Sequence, residues 1–168
     1  MMAEGRVLYS QEGRLHMLRY IGEIRYPVAA SIDRLVKALI QDDAIDNLVV
    51  DLSETDSIDS TNLGELARLA QRMRERGIER PTIISPQLGI SQLLRSMSMD
   101  EVFDLTSDGS VVGGDELPKD HKPSKEELST LVLVAHKSLA SMGEGNRRKF
   151  CDVIALMEKE LDDTQGRS

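Results

Sequence analysis

The residues best placed to do chemistry are Asp59-Ser60-Thr61-Asn62, followed by Leu63-Gly64, between a β-branched run and an amphipathic stretch. A serine at the start of a helix sits among backbone N–H groups without helical partners, at the positive end of the helix dipole. A phosphoryl group on Ser60 would be held by those donors. Its charge, about −1.5 to −2, would transform the adjoining surface. Gly64, one turn further, leaves the helix start bare and its backbone approachable. Asp59 has three roles open to it: metal ligand, orienter of the hydroxyl, or helix cap. A plainer reading stands beside this one, in which Ser60 is only a cap.

Other chemistries find less support. His16, His121 and His136 are far apart and show no metal-ligand spacing, so neither a metal nor a cofactor is expected. A hydrolase with Ser60 as nucleophile would need a base and an oxyanion hole, and no Gly-x-Ser-x-Gly elbow surrounds it. Asp51, Asp56 and Asp59 bring an aspartyl-phosphate receiver to mind, but Leu8-Tyr9-Ser10-Gln11 lacks the acidic pair such a domain carries after its first strand. Cys151 adjoins an apolar stripe and is expected to be inert packing, and Met97, Met99 and Met142 to be core filler. No enzymatic activity is expected.

The elements that must position Ser60 read in order. Val7 to Ser10 and Leu15 to Ile21 flank a polar turn and predict a hairpin, with a bulge or bend at Gly22. Ser31 reads as an N-cap, followed by Ile32, Leu35, Val36, Leu39 and Ile40 at helical spacing. Leu48-Val49-Val50-Asp51-Leu52 is a covered central strand, and a polar loop over residues 53–59 leads into the helix of Leu63, Leu66, Ala67, Ala70 and Met73. Gly77 should stop that helix. A short strand at Thr82-Ile83-Ile84, a helix through Ile90, Leu93 and Leu94, and a strand ending at Leu105 complete a β-β-α-β-α-β-α-β order. The fold class is therefore α/β, a mixed sheet packed with helices over residues 1–105.

Residues 106–123 have the Gly, Asp, Ser and Pro content of a linker. In residues 124–168, Ser124-Lys125-Glu126-Glu127 has the form of a capping box, and two apolar stripes predict a helical hairpin. Such a hairpin is not stable alone. Its stripes must bury against the main domain, a twin chain in a homodimer, or another partner.

Composition narrows the partners. A hydrophobic fraction of 40% and a charged fraction of 30% belong to a globular protein rather than a disordered one. A net charge of −8 argues against a nucleic-acid surface, since Glu65, Glu75 and Glu79 interleave with Arg68, Arg72, Arg74 and Arg76 on what reads as a solvated helix face. No apolar run approaches a membrane span, the N-terminus lacks a signal-peptide stretch, and one cysteine fits a reducing compartment, so a cytoplasmic protein is expected.

Asp59-Ser60-Thr61-Asn62-Leu63-Gly64, with Gly22-Glu23-Ile24 upstream and the strand–helix order around both, resembles the STAS domain of bacterial anti-sigma-factor antagonists over residues 7–105. Helical tail included, the chain is similar to the pseudomonad HsbA type. That family carries Asp-Ser-(Ser/Thr)-Gly-Leu-Gly at this junction, and its phosphorylated serine follows the Asp. The resemblance implies Ser60 as phosphoacceptor, and a partner surface of Asp56, Asp59, Thr61, Asn62, Leu63, Gly64 and Arg25. Asn62 departs from the family's Gly, and Arg25 from an acid that commonly follows Gly-Glu-Leu/Ile. The function implied is partner switching: the unphosphorylated antagonist captures an anti-sigma factor, a serine kinase breaks the complex, and a metal-dependent phosphatase restores it. The alternative is a phosphorylation-dependent adaptor that docks on and regulates an enzyme such as a signalling cyclase or kinase.

Overall fold

Alternation along the second strand sets the architecture. In β2 (Leu15–Ile24) every second residue, including Leu18, Tyr20 and Ile24, is fully buried, while its neighbours stay half-exposed. One sheet face is thus the floor of the core. The computed structural model describes residues 4–41, 45–119 and 122–166. β1 (Arg6–Glu12) pairs antiparallel with β2, and β3 (Asn47–Ile58), β4 (Thr82–Ile84) and β5 (Asp104–Thr106) extend the sheet in parallel. With β6 (Asp115–Glu116) antiparallel on β1, the order is β5-β4-β3-β2-β1-β6. The mixed sheet packed with helices is the expected α/β class.

Three helices are interleaved with these strands: α1 (Tyr26–Gln41), α2 (Ser60–Glu75) and α3 (Leu88–Ser96). Ile32, Val36 and Leu39 of α1 and Leu63, Leu66, Ala70 and Met73 of α2 join Leu18, Val50 and Leu52 of the sheet in one core. Helix α2 does stop at Gly77: Arg76 is the C-cap and Gly77 takes φ 72°, a conformation glycine adopts without strain. Gly22, at φ 84°, sits at a register shift between β2 and β3, as its place in the pattern predicted.

Two expectations need correction. Ser31 is no N-cap: α1 begins five residues earlier, and Ser31 is buried mid-helix with its hydroxyl donating to the Pro118 carbonyl. Pro27 in the first turn is compatible with the earlier start, because its missing N–H breaks no helical bond. The polar residues 53–58 are not a loop but the second half of β3, held by pairing to β2 as far as Ile24–Ile58. Thr55 is fully buried there and donates to the Tyr20 carbonyl at 2.8 Å.

The stretch expected as a linker runs along the domain. β6 adds to the sheet edge, Leu117 N–H bonds the Val7 carbonyl, and Val111 N–H bonds the buried carboxylate of Asp51 at 3.0 Å. Beyond it, α4 (Lys125–Ala140) begins at Ser124, whose hydroxyl accepts from Glu127 N–H, and α5 (Glu144–Gln165) returns antiparallel to it. The hairpin's stripe buries against its own domain: Leu139 and Phe150 join the main core, and Leu131 packs on Ala29 and Ala30. Met99 is core, and Met97 and Met142 pack against it. Cys151 is exposed on α5 rather than packed, because the buried side of that helix passes through Phe150 and Ile154. Among the described residues no helix is long and apolar enough to cross a membrane.

Candidate functional site

β3 delivers the chain to the junction, and Asp59 turns it into α2. Its extended backbone (φ −86°, ψ 168°) places Oδ1 to accept from Asn62 N–H at 3.0 Å and from Asn62 Nδ2 at 2.8 Å. Its own N–H donates to the Ile24 carbonyl, tying the junction to the end of β2. Of the three roles open to Asp59, the geometry gives it the cap. Ser60 is then the first helical residue, beside the open amides of the first turn. Asn62, fully buried, is the amide that braces the capping carboxylate, which accounts for a side chain where a glycine was expected. Asp59→Ala should cost about 1–3 kcal/mol in urea unfolding, the sum of a lost cap and a stranded buried amide. Asp59→Ser should recover the cap part.

Ser60 is half-buried, and its Oγ lies 3.0 Å from Nε2 of His136 on α4. His136 is buried and stacks on Phe150, with ring centroids 5.1 Å apart. Burial pushes its pKa down, and the negative charge of Asp59 opposes this only in part, so the ring is neutral near pH 7. A neutral imidazole on a serine hydroxyl is the first half of a nucleophile–base set. Among the described residues no group orients the ring, since Nδ1 is buried without a hydrogen-bond partner there. Sequence reasoning set His136 aside with the other histidines. Its link to Ser60 spans 76 residues and lies between two helices, so no local spacing announces it. His16 is buried under Tyr9, whose hydroxyl is 2.6 Å from Nδ1; His121 lies outside the described residues. Among the described residues no cluster of three or more metal-ligating side chains occurs.

Gly64 is bare for a reason that sequence could not supply. A Cβ built there would meet the carbonyl oxygen of Ala135 at 2.3 Å, so α2 and α4 cross backbone to backbone. Of the sequence-predicted surface, Thr61, Asn62, Leu63 and Gly64 are buried, whereas Asp56 and Arg25 are exposed. Arg25 turns to Glu23, with Nε 3.2 Å from Oε1, rather than to Ser60.

One turn on, Glu65 contradicts the reading of a solvated helix face. It is fully buried beside Asp33 of α1, with Arg68 Nη1 3.8 Å from one carboxylate oxygen and 2.9 Å from Asp33. Burial and the adjacent Asp33 push its pKa up to about 8, against a smaller pull from Arg68 and Lys37. Near pH 7 the buried group is a neutral acid.

The family model of the STAS domain matches residues 7–109. The chain belongs to the STAS domain family. Solved structures agree on the fold of this STAS domain. The anti-sigma factor antagonist SpoIIAA in its unphosphorylated form is 12% identical, with a TM-score of 0.52 over 61% of this chain and 89% of that one. The phosphorylated form of SpoIIAA, described as a Bacillus cell fate determinant, gives 11%, 0.51, 61% and 92%. The protein TM1081, solved by NMR, is 18% identical, with a TM-score of 0.51 over 58% of this chain and 78% of that one. At these identities the likeness is one of fold. No curated protein sequence matches significantly. The match ends before α4, which carries His136 to Ser60, and before α5.

Proposed function

We propose that this STAS protein is an anti-sigma-factor antagonist of the HsbA type, acting by partner switching, with Ser60 as the phosphoacceptor that sets binding. The observation that carries the reading is the junction itself: a serine at the first position of α2, behind an Asp59 cap, in a STAS domain. Its partners are an anti-sigma factor, a serine kinase and a metal-dependent serine phosphatase, all cytoplasmic. The docking surface centres on Ser60, flanked by Asp56, Asp59 and Arg25, while Thr61, Asn62, Leu63 and Gly64, buried at the start of α2, shape it from beneath. The mechanism is electrostatic. A phosphate dianion in a docking face costs binding energy wherever the partner offers no cation, and Asp59 already supplies a negative charge beside it.

The test begins with intact mass and phosphopeptide mapping of the protein from its own cells, which should place phosphate on Ser60. Anti-sigma-factor binding should then survive Ser60→Ala and weaken by roughly tenfold or more in Ser60→Asp, about 1.4 kcal/mol or greater. Equal binding by both variants would sink the switch. The adaptor reading draws on a separate observation: Val153 and Leu156 of α5 are exposed, an apolar face beyond the one the domain takes up. If Ser60 binding proves indifferent to phosphate, a partner on α5 becomes the leading reading.

A further inference from the structure

We propose that α4 is a lid docked in cis on the Ser60 face, and that a phosphoryl group on Ser60 and the closed lid exclude each other. This rests on Ser60 being the phosphoacceptor and adds the regulation of that site. In the closed state the Ser60 hydroxyl is directed at α4. The Ser60 hydroxyl is bonded to the His136 ring, and Gly64 lies against the Ala135 carbonyl. In that rotamer the oxygens of a phosphate on Oγ project into the His136 ring, so either the serine side chain or α4 must move. The kinase meets the same obstacle, since the hydroxyl is half-buried under α4.

Charge points the same way. At Ser60 the lid presents a neutral imidazole, and the domain presents the Asp59 carboxylate. Two cations that adjoin these elements are engaged elsewhere: Lys137, next to His136, pairs with Glu158 of α5 at 2.7 Å, and Arg25, at the end of β2, pairs with Glu23. A dianion placed there is drawn by the open amides at the start of α2 but meets the Asp59 carboxylate and an uncharged ring on the α4 side.

The contact is also of a kind that can part. Along α2 it includes a serine–histidine bond, a glycine–alanine crossing, and Gln71 Nε2 donating to Ser138 O and Ser141 Oγ at 3.2 and 2.9 Å, and on α1 Leu131 packs on Ala29 and Ala30. The anchors lie at the ends. Leu139 and Phe150 sit in the main core, and Asn146 Nδ2 donates to the Met97 and Leu139 carbonyls at 2.7 and 2.9 Å. At the other end, Leu117 and Ser31 hold the approach to α4 against the sheet edge and α1. A helix tethered at both ends can lift and return. While closed it competes with the anti-sigma factor for the Ser60 face, so the unphosphorylated form binds in proportion to the time the face is open, whereas phosphorylation opens the face but loads it with a charge that the anti-sigma factor rejects.

The test needs no partner protein. Full-length chain carrying phosphoserine at position 60, introduced by an expanded genetic code, is compared with the serine form by amide hydrogen exchange. Phosphorylation should speed exchange in residues 131–138 of α4 by roughly a hundredfold, while Val49 to Leu52 of β3 stay protected. Ala135→Leu, which wedges the Gly64 crossing without adding charge, should reproduce the pattern. Unchanged protection of α4 in the phosphoserine form would overturn the proposal. So would loss of protection in β3 as well, which would mean unfolding rather than opening. If α4 opens yet neither form binds an anti-sigma factor, the lid stands and the partner-switching assignment falls.

Discussion

Gly64→Ala should destabilise the protein by about 2–3 kcal/mol, the upper range for overpacking a close contact. The sign is opposite to the ordinary one. In an unobstructed helix, replacing glycine by alanine gains roughly 0.5–1 kcal/mol, because glycine loses more backbone freedom on folding. At position 64 the added carbon meets the Ala135 carbonyl oxygen at 2.3 Å and its carbon at 2.6 Å. Backbone atoms cannot swing aside, so α4 must move away from α2 and give up the Ser60–His136 bond with it. Gly145→Ala in α5 is the control, since nothing lies within 4 Å of a Cβ there. It should be neutral or stabilising by a few tenths of a kcal/mol. Urea midpoints for the two variants decide the matter. Equal behaviour would mean that the two helices part at little cost.

Glu65→Gln should change how stability depends on pH. Glu65 has a folded pKa near 8 against an ordinary value of 4.5, because burial and Asp33 both disfavour its charged form. Between those limits the folded state holds a proton that the unfolded state has released. Stability from this group is therefore full below about pH 4.5 and is lost as pH rises towards about 8. The loss is at most about 1.4 kcal/mol per pH unit. A glutamine mimics the protonated acid and removes the titration. Unfolding free energies of wild type and variant should converge near pH 5 and diverge towards pH 8, with wild type the less stable. His136, whose depressed pKa acts in the opposite sense as pH falls, is common to both proteins and cancels. Parallel curves would mean that Glu65 ionises in the fold without penalty.

The sequence by itself determined a good deal. Alternation in β2, the covered run of β3 and the three-and-four spacing of α1 and α2 specify which faces turn inward, so the sheet–helix order was legible from local pattern. Asp59 and Ser60 were legible too, because capping chemistry is local: a carboxylate, a helix start and an amide two or three residues on. Even the hairpin announced itself through Ser124 and the stripes beyond it. Errors arose where burial is decided by something distant. Ser31 looked like a cap until the Pro118 carbonyl became its partner, and residues 53–58 looked like a loop until β2 paired with them. Glu65 was placed among solvated charges because its spacing matches them, yet α1 covers it.

The tertiary structure alone decided what lies over Ser60. Gly64 offers an approachable backbone in any helix, and nothing in the order of residues says what approaches it. Only the return of α4 across α2 brings His136 from 76 positions away to the serine hydroxyl and sets Ala135 against Gly64. The physical reason is that a cap or an amphipathic stripe is fixed by neighbours within a turn or two. The choice of which stripe covers which face depends on the shapes of both faces, and those exist only once the chain has folded.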